Sequence, residues 1–332
     1  MVKVSNEVLK NIVFKNLGTH DSSIIVGPCI GEDAAIVRIN HNKYLVSHVD
    51  PITGSVELIG WLSIYVPAND IVVRGVIPRW FLTTILLPES EKGRIEMLNK
   101  IMRQIDNALK EINASLIGGH TEYSPGISRP VIVSTAIGIT DKYITTSNVK
   151  SGDYVIMTKA AALEATAIIA TDFEQLLISK GISREIIERS KNFIKEVSVV
   201  KEALIATPYV NSMHDPTEGG IIQGLLEMVE ASNKSIKIDL GKVKIREETK
   251  IILETLGIDP YRALSSGALL LTISKDKLDL LIREYERNGI EYSIIGKVIG
   301  NEKKLIISKD GEIMVVKDFI QDEVMRFIEE FS

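Results

Sequence analysis

The chain has 332 residues, 45% of them apolar and 25% charged, with a formal net charge of −5 and a single cysteine. This is a globular balance with length enough for two domains. No basic block points to nucleic acid, and one cysteine excludes an internal disulfide and a cysteine-only metal site. No apolar run reaches the roughly 18 residues of a membrane span. The N-terminus carries Asn6, Glu7 and Lys10 where a signal peptide would be apolar, so a cytoplasmic protein without a membrane partner is expected.

In chain order, residues 1–17 read as a short helix and 18–31 as a loop supplied with turn formers. Residues 34–39 and 44–49 are short apolar runs that predict strands. Over 57–74, Leu58, Trp61, Leu62 and Tyr65 fall at helical spacing. Pro67 lacks a backbone donor and clashes with the preceding turn, which predicts a kink or break just before Asn69-Asp70. Gly75 suits a C-terminal cap. Residues 80–87 read as a strand.

The clearest helix covers 94–112, where Ile95, Leu98, Ile101, Met102, Ile105, Ala108, Leu109 and Ile112 form one apolar stripe, read as core. Strands at 115–117 and 131–139 flank a predicted loop, 118–130. The polar stretch 145–153 divides the chain into domains 1–148 and 149–332. The second carries helices near 161–171, 183–195, 217–231, 247–256, 275–287 and 318–330. Its strands lie near 235–240, 268–273, 292–299 and 304–308, after one at 154–158. The pattern is α+β.

The chemistry sits in five short pieces. Gly31-Glu32-Asp33-Ala34-Ala35 brings a glycine and an acid pair into a strand of small residues. In Ser47-His48-Val49-Asp50-Pro51 an acid ends a strand before a proline, which keeps its backbone extended. Asn69-Asp70 follows the expected break. Gly118-Gly119-His120-Thr121-Glu122 follows a strand. His214-Asp215-Pro216-Thr217-Glu218-Gly219-Gly220 leads into a helix, where bare amides can face an anion. Carboxylates without cysteine suit Mg²⁺, which is usually held by one or two carboxylates plus substrate phosphates. Neither a GxxxxGK[ST] run nor a GxGxxG after a strand is present, so a P-loop and a dinucleotide fold are without support. Taken singly, each acid has an ordinary reading as a turn or cap residue.

Together, in order and spacing from about residue 27 to 300, these pieces resemble the aminoimidazole-ribonucleotide-synthetase-like superfamily. Gly-Glu-Asp-Ala-Ala looks like its Gly-Asp-Asp-Ala-Ala, and Asn-Asp-Ile-Val-Val-Arg-Gly resembles its Asn-Asp helix. Gly-Gly-His-Thr-Glu resembles its Gly-Gly-Asp-Thr turn. Asp-Pro-Thr-Glu-Gly-Gly is similar to the Asp-Pro-Thr-Arg-Gly-Gly of the hydrogenase-maturation dehydratase. Ser265-Ser266-Gly267-Ala268-Leu269-Leu270 resembles its late Ser-Gly strand. The nearest branches are that dehydratase and thiamine-monophosphate kinase.

The resemblance implies a two-domain fold whose N-terminal strands form a barrel across a homodimer, with ATP between domains and subunits. It implies Mg²⁺ on Asp33, Asp50, Asp70 and Asp215, with Glu122 as a substitute ligand. Asp50, Asp70 and His120 become the catalytic candidates. Gly31, Glu32, Asp33, Asn69, Gly118, Gly119, Thr121, Gly219, Gly220, Ser266 and Gly267 become the nucleotide-binding ones. Residues 265–267 would line the acceptor side.

Three departures stand out. His120 replaces an acid and is a poor Mg²⁺ ligand; it could bond a phosphate, act as a base, or pack. The chain ends Glu329-Glu330-Phe331-Ser332, without the cysteine that the dehydratase modifies, and has Glu218 for that enzyme's arginine. Cys29 lacks an electropositive setting and reads as structural. The expected activity is Mg-ATP-dependent phosphoryl transfer to, or activation of, an oxygen on a small-molecule or protein-bound substrate. The alternatives are a nucleotide-binding partner module without turnover and a metal-dependent ATP hydrolase.

Overall fold

The structure, a computed structural model, describes residues 4–89 and 93–331. The first three residues of the expected N-terminal helix lie outside the described residues. The first domain runs α1 (Asn6–Asn11), β1 (Ile24–Val26), β2 (Ala35–Asn40), β3 (Lys43–Ile52), α2 (Ile59–Val72), β4 (Trp80–Pro88), α3 (Arg94–Glu111), β5 (Ser115–Ser124) and β6 (Val131–Thr140). The second runs β7 (Tyr154–Thr158), α4 (Leu163–Asp172), α5 (Glu174–Ser179), α6 (Arg184–Lys191), α7 (Val200–Ala206), β8 (Ser212–His214) and α8 (Gly220–Ser232). It continues through β9 (Ser235–Asp239), α9 (Glu247–Leu256), β10 (Leu270–Ile273), α10 (Lys275–Arg287), β11 (Tyr292–Gly300), β12 (Leu305–Lys309), β13 (Glu312–Val316) and α11 (Glu323–Phe331). The fold is α+β with two domains.

The first sheet has the order β1-β2-β3-β6-β4-β5 and is antiparallel except between β4 and β5. Side chains alternate across it, so one face is buried by Ile36, Val46, Phe81, Ile85, Ile132 and Ala136. Helix α2 packs on that face and α3 packs on α2. Every residue of α2 except Trp61 is buried, because α7 of the second domain covers its remaining side. A helix that is apolar all round is a buried helix.

The expected break at Pro67 does not occur: α2 runs through it. An interior proline costs roughly 3 kcal/mol in an isolated helix, but packing on every side holds this one. The consequence is functional. Asp70 and Arg74 stay one turn apart on the same face.

The second sheet has the order β13-β12-β9-β11-β7-β10-β8, with β9 and β12 its only parallel neighbours. Its faces bury separate apolar layers. Val155, Met157 and Leu270 meet Ile221, Leu225 and Met228 of α8. On the other face Ile156, Leu269 and Leu271 join a core shared with α4, α7 and the first domain.

One expectation fails at β5. The sequence 118–122 continues the strand to Ser124 instead of forming a turn. Gly118-Gly119 is permitted there by close strand approach: a Cβ on Gly119 would lie 2.0 Å from the Thr83 carbonyl oxygen. The short elements β1, β8, β13, α5 and α7 are too brief for periodicity to reveal.

Candidate functional site

The two domains enclose a cleft of about 540 Å³ that draws side chains from α2, β3, β8, α8, α4 and the approach to α11. Alternation along β3 sends His48 and Asp50 inward toward α2 and Val49 outward. His48 Nε2 lies 3.3 Å from Asp50 Oδ1 and 3.7 Å from Asp70 Oδ2. Asp33 enters from the loop before β2, and Asp215 follows β8. Two triads result, His48–Asp50–Asp70 and Asp33–Asp70–Asp215, each with ligand atoms within 4.8 Å of one another and with Asp70 common to both.

These acids differ in how they are compensated. The fully buried Arg74 contacts Glu32 and donates to Asp33 Oδ2 (2.8 Å), Thr146 Oγ1 (2.7 Å) and the Met213 carbonyl (2.9 Å). Glu32 also accepts the backbone amides of Thr146 and Ser147, both at 2.9 Å. His214 is 2.8 Å from Asp33 through Nδ1 and 3.0 Å from Glu227 through Nε2. Burial pushes its pKa down, but the charges and hydrogen bonds of Asp33 and Glu227 outweigh that and raise it to about 10, so His214 is a cation here.

Asp70 and Asp215 have no such help. Asp70 Oδ2 and both carboxylate oxygens of Asp215 are buried without a hydrogen-bond partner. Burial holds the pKa of Asp70 well above the usual range, with the charges of Asp215, Asp50 and Asp33 added. Burial does the same to Asp215, reinforced by Asp33 and Asp50 and partly opposed by His214 and Arg74. Buried carboxylates with open lone pairs and mutual repulsion form a donor set that fits a hard divalent cation.

The other candidates take varied positions. Gly31 and Glu32 line the cleft, and Gly31 at φ +83° lets its loop press against the Glu227 carbonyl of α8. Asn69 is a buried clamp: it donates to Val197 O and accepts from Val199 N, joining α2 to the second domain. Ser266 lines the cleft; Ser265 donates to Ala263 O and accepts from Ala162 N, and Gly267 packs behind, against Glu196 O. The amides expected to face an anion at the start of α8 are committed. Gly219 N–H donates to Asp322 Oδ2 at 2.8 Å and Gly220 N–H to Thr217 O at 3.1 Å. A carboxylate of this chain therefore takes the place of the expected phosphate.

Gly118, Gly119, His120, Thr121 and Glu122 do not line this cleft. They lie on the exposed edge strand, and the pairing of Thr84 with His120 and Leu86 with Glu122 turns those two side chains to the opposite face of the sheet. His120 is 3.1 Å from Glu122, which also accepts from Ser124. Cys29 is exposed at the cleft rim instead of packed in the core. Partial desolvation of its thiol by the surrounding loop and the charge of Glu32 push its pKa up, so it is no activated nucleophile.

Sequence reasoning missed Arg74, Glu227, Glu164 and Asp322. Glu164 had a readable signal, as the only charge between residues 160 and 170, and a lone charge in an apolar helix is rarely decorative. Burial raises its pKa to about 7. Among the described residues no helix is long and apolar enough to cross a membrane.

Comparison with known proteins gives a consistent result. Residues 31–140 match the N-terminal domain of AIR synthase related protein, and residues 150–308 match its C-terminal domain. A putative hydrogenase expression/formation protein of Methanocaldococcus jannaschii is 29% identical over 319 residues, 92% of this chain and 90% of that protein. Selenide, water dikinase of Clostridioides difficile is 25% identical over 92% of this chain and 94% of its own. The solved structure of AaThiL complexed with AMPPCP and TMP has a TM-score of 0.74 over 96% of this chain and 98% of that one, at 19% identity, which shows a common fold. The chain belongs to the AIR synthase related protein family.

Proposed function

We propose that this protein binds Mg-ATP in the interdomain cleft and transfers the γ-phosphoryl group to an oxygen of a small or protein-bound substrate, as a kinase does or to activate the carbonyl carbon bearing that oxygen for attack. The observation that carries this reading is the pair of triads sharing Asp70, with buried carboxylate oxygens of Asp70 and Asp215 left without partners. Magnesium held there would neutralise polyphosphate charge, the main demand of phosphoryl transfer. Asp70 and Asp215 would supply the open ligand atoms, with Asp50 as a third carboxylate beside His48 and Asp33 as a fourth held in place by Arg74 and His214. Support also comes from relatives named for ATP chemistry: a dikinase by sequence, and by fold a protein complexed with AMPPCP, an ATP analogue. Glu122 and His120 would contribute to a nucleotide only from a second chain.

A homodimer is part of this reading. Val49, Leu82 and Ile139 are exposed on the outer face of the first sheet, where the register sets Val49 and Leu82 on either side of Thr135. His120 and Glu122 belong to that face too. A two-fold contact over this sheet would cover an apolar surface otherwise left in water. The domain division at 148/149 belongs to the same proposal, with dimerisation assigned to the first domain.

The test is calorimetric titration of Mg-AMPPNP into wild type, Asp50→Asn and Asp70→Asn. Each variant is expected to lose at least about a hundredfold in affinity, roughly 2.7 kcal/mol, while staying folded. Wild-type affinity in both variants would remove the metal site and the phosphoryl-transfer reading. Sedimentation showing only monomer at micromolar concentration would remove the dimer.

A further inference from the structure

The cleft holds a second acidic group besides the aspartates. Glu164 stands in the first turn of α4 and lines the cleft, 95% buried, with Oε2 lacking a hydrogen-bond partner. Ser266, fully buried, faces the same carboxyl: its hydroxyl and amide partly offset the effect of burial on Glu164, yet the hydroxyl makes no hydrogen bond of normal geometry. Glu218 and Asp322 are the charges acting most strongly on Glu164, so these three acids form a set distinct from Asp33, Asp50, Asp70 and Asp215. Asp322 is fixed by three backbone amides, those of Gly219, Val324 and Met325. It is therefore a rigid charge that cannot swing away.

The charge balance of the cleft is one-sided. Arg74 and His214 answer Glu32, Asp33 and Glu227, and divalent metal would answer the aspartates. Among the described residues no lysine or arginine lines the cleft. Apolar side chains close to these acids in sequence, Ile168, Leu264, Phe319 and Met325, also line the cleft. A hydrated inorganic ion gains little from such walls, whereas an organic cation buries its carbon skeleton there and presents its charge to Glu164.

We propose that the acceptor bound beside the nucleotide is a small organic cation, an ammonium or amidinium on an apolar frame. The charged nitrogen is held by Glu164 and the Ser266 hydroxyl, within the field of Glu218 and Asp322. This assignment rests on the phosphoryl-transfer reading for its name of acceptor, but the recognition chemistry is independent of it. The positive nitrogen is the anchor, and the oxygen to be phosphorylated lies elsewhere on the molecule.

The test uses benzamidine and benzamide, similar in shape and different in charge, titrated into the full chain with and without Mg-AMPPNP near neutral pH. Wild type is expected to prefer benzamidine by at least about tenfold. Glu164→Gln should reduce that preference at least threefold and leave Mg-AMPPNP affinity within twofold. Glu218→Gln, at a partly exposed position, repeats the measurement if Glu164→Gln does not fold, with the same direction expected. Equal binding of the two probes to wild type, displacement of benzamidine by millimolar Mg²⁺ alone, or an undiminished preference in the folded variants would overturn the cation site. A preserved benzamidine preference in a protein that binds no Mg-AMPPNP would support the cation site and overturn the phosphoryl-transfer reading instead.

Discussion

Asp70 stands in the last turn of α2 and Arg74 in the turn just past its end, yet the two treat buried charge in opposite ways. Around Arg74 the acids are answered: guanidinium to Glu32 and Asp33, imidazolium to Asp33 and Glu227, backbone amides to Glu32 and the Gln223 amide to Glu227. Around Asp70 and Asp215, carboxylates face one another with oxygens unmet. The first arrangement is what a stable interdomain joint requires. The second is tolerable only because protonation, or a cation from outside, can relieve it. The contrast separates residues that hold the cleft open from residues that wait for a ligand.

Removing the compensating cation should do the most damage. Arg74→Met leaves Glu32 and Asp33 buried without their guanidinium, and stability should fall by about 3–5 kcal/mol. Urea denaturation checks this, and a loss under 1 kcal/mol would mean that the network carries little of the joint.

Next in size is the pH dependence of His214. Its folded pKa of about 10 lies above the ordinary 6.5. Its contribution is therefore fully present below about pH 6.5 and is lost as the pH rises toward 10, on the order of a few kcal/mol. Urea midpoints across this range, with chelator present, should fall in wild type and stay flatter in His214→Gln. Parallel profiles would show that the imidazole is not the titrating group.

The open end should respond in the reverse sense. Asp215 has a raised folded pKa, so its contribution belongs to acid pH and is lost as the pH rises past that value. Near neutral pH, Asp215→Asn should make the metal-free protein more stable, by about 1 kcal/mol. Millimolar Mg²⁺ should stabilise wild type and not the variant. Thermal melts in chelator and in Mg²⁺ check both signs, and a destabilised, Mg²⁺-responsive variant would contradict the assignment.

The smallest effect is expected at the rim. Cys29→Ser should change ATP turnover by less than about threefold, roughly 0.6 kcal/mol in barrier. A loss above about tenfold with the fold intact would restore a chemical role for the thiol.

Much of this was legible in residue order. Periodicity located α3 and the strands β2, β3, β4 and β6 within a few residues, because long amphipathic or alternating runs carry their own signal. The acids Asp33, Asp50, Asp70 and Asp215 were legible through short motifs with glycine or proline nearby, although Asp50 lies inside β3 and Asp70 inside α2 where the sequence suggested a strand end and a helix break. Pro67 misled, since local propensity predicts a break that burial on all sides of α2 overrides. Gly118-Gly119 misled in the other direction: glycines that suggest a turn instead admit the close approach of β4 and β5.

What sequence alone determined is the family pattern and the identity of the acids, because both reside in short contiguous motifs. Which acids are compensated was decided only by the tertiary structure. Arg74 meets Asp33 across 41 positions, His214 meets Asp33 across 181, and Asp322 reaches Gly219 across 103. Charge pairing falls off with distance in space and is indifferent to distance along the chain. Glu164, two residues beyond a left-handed Ala162, becomes part of the cleft only when α4 is packed against the Ser265–Ser266 loop.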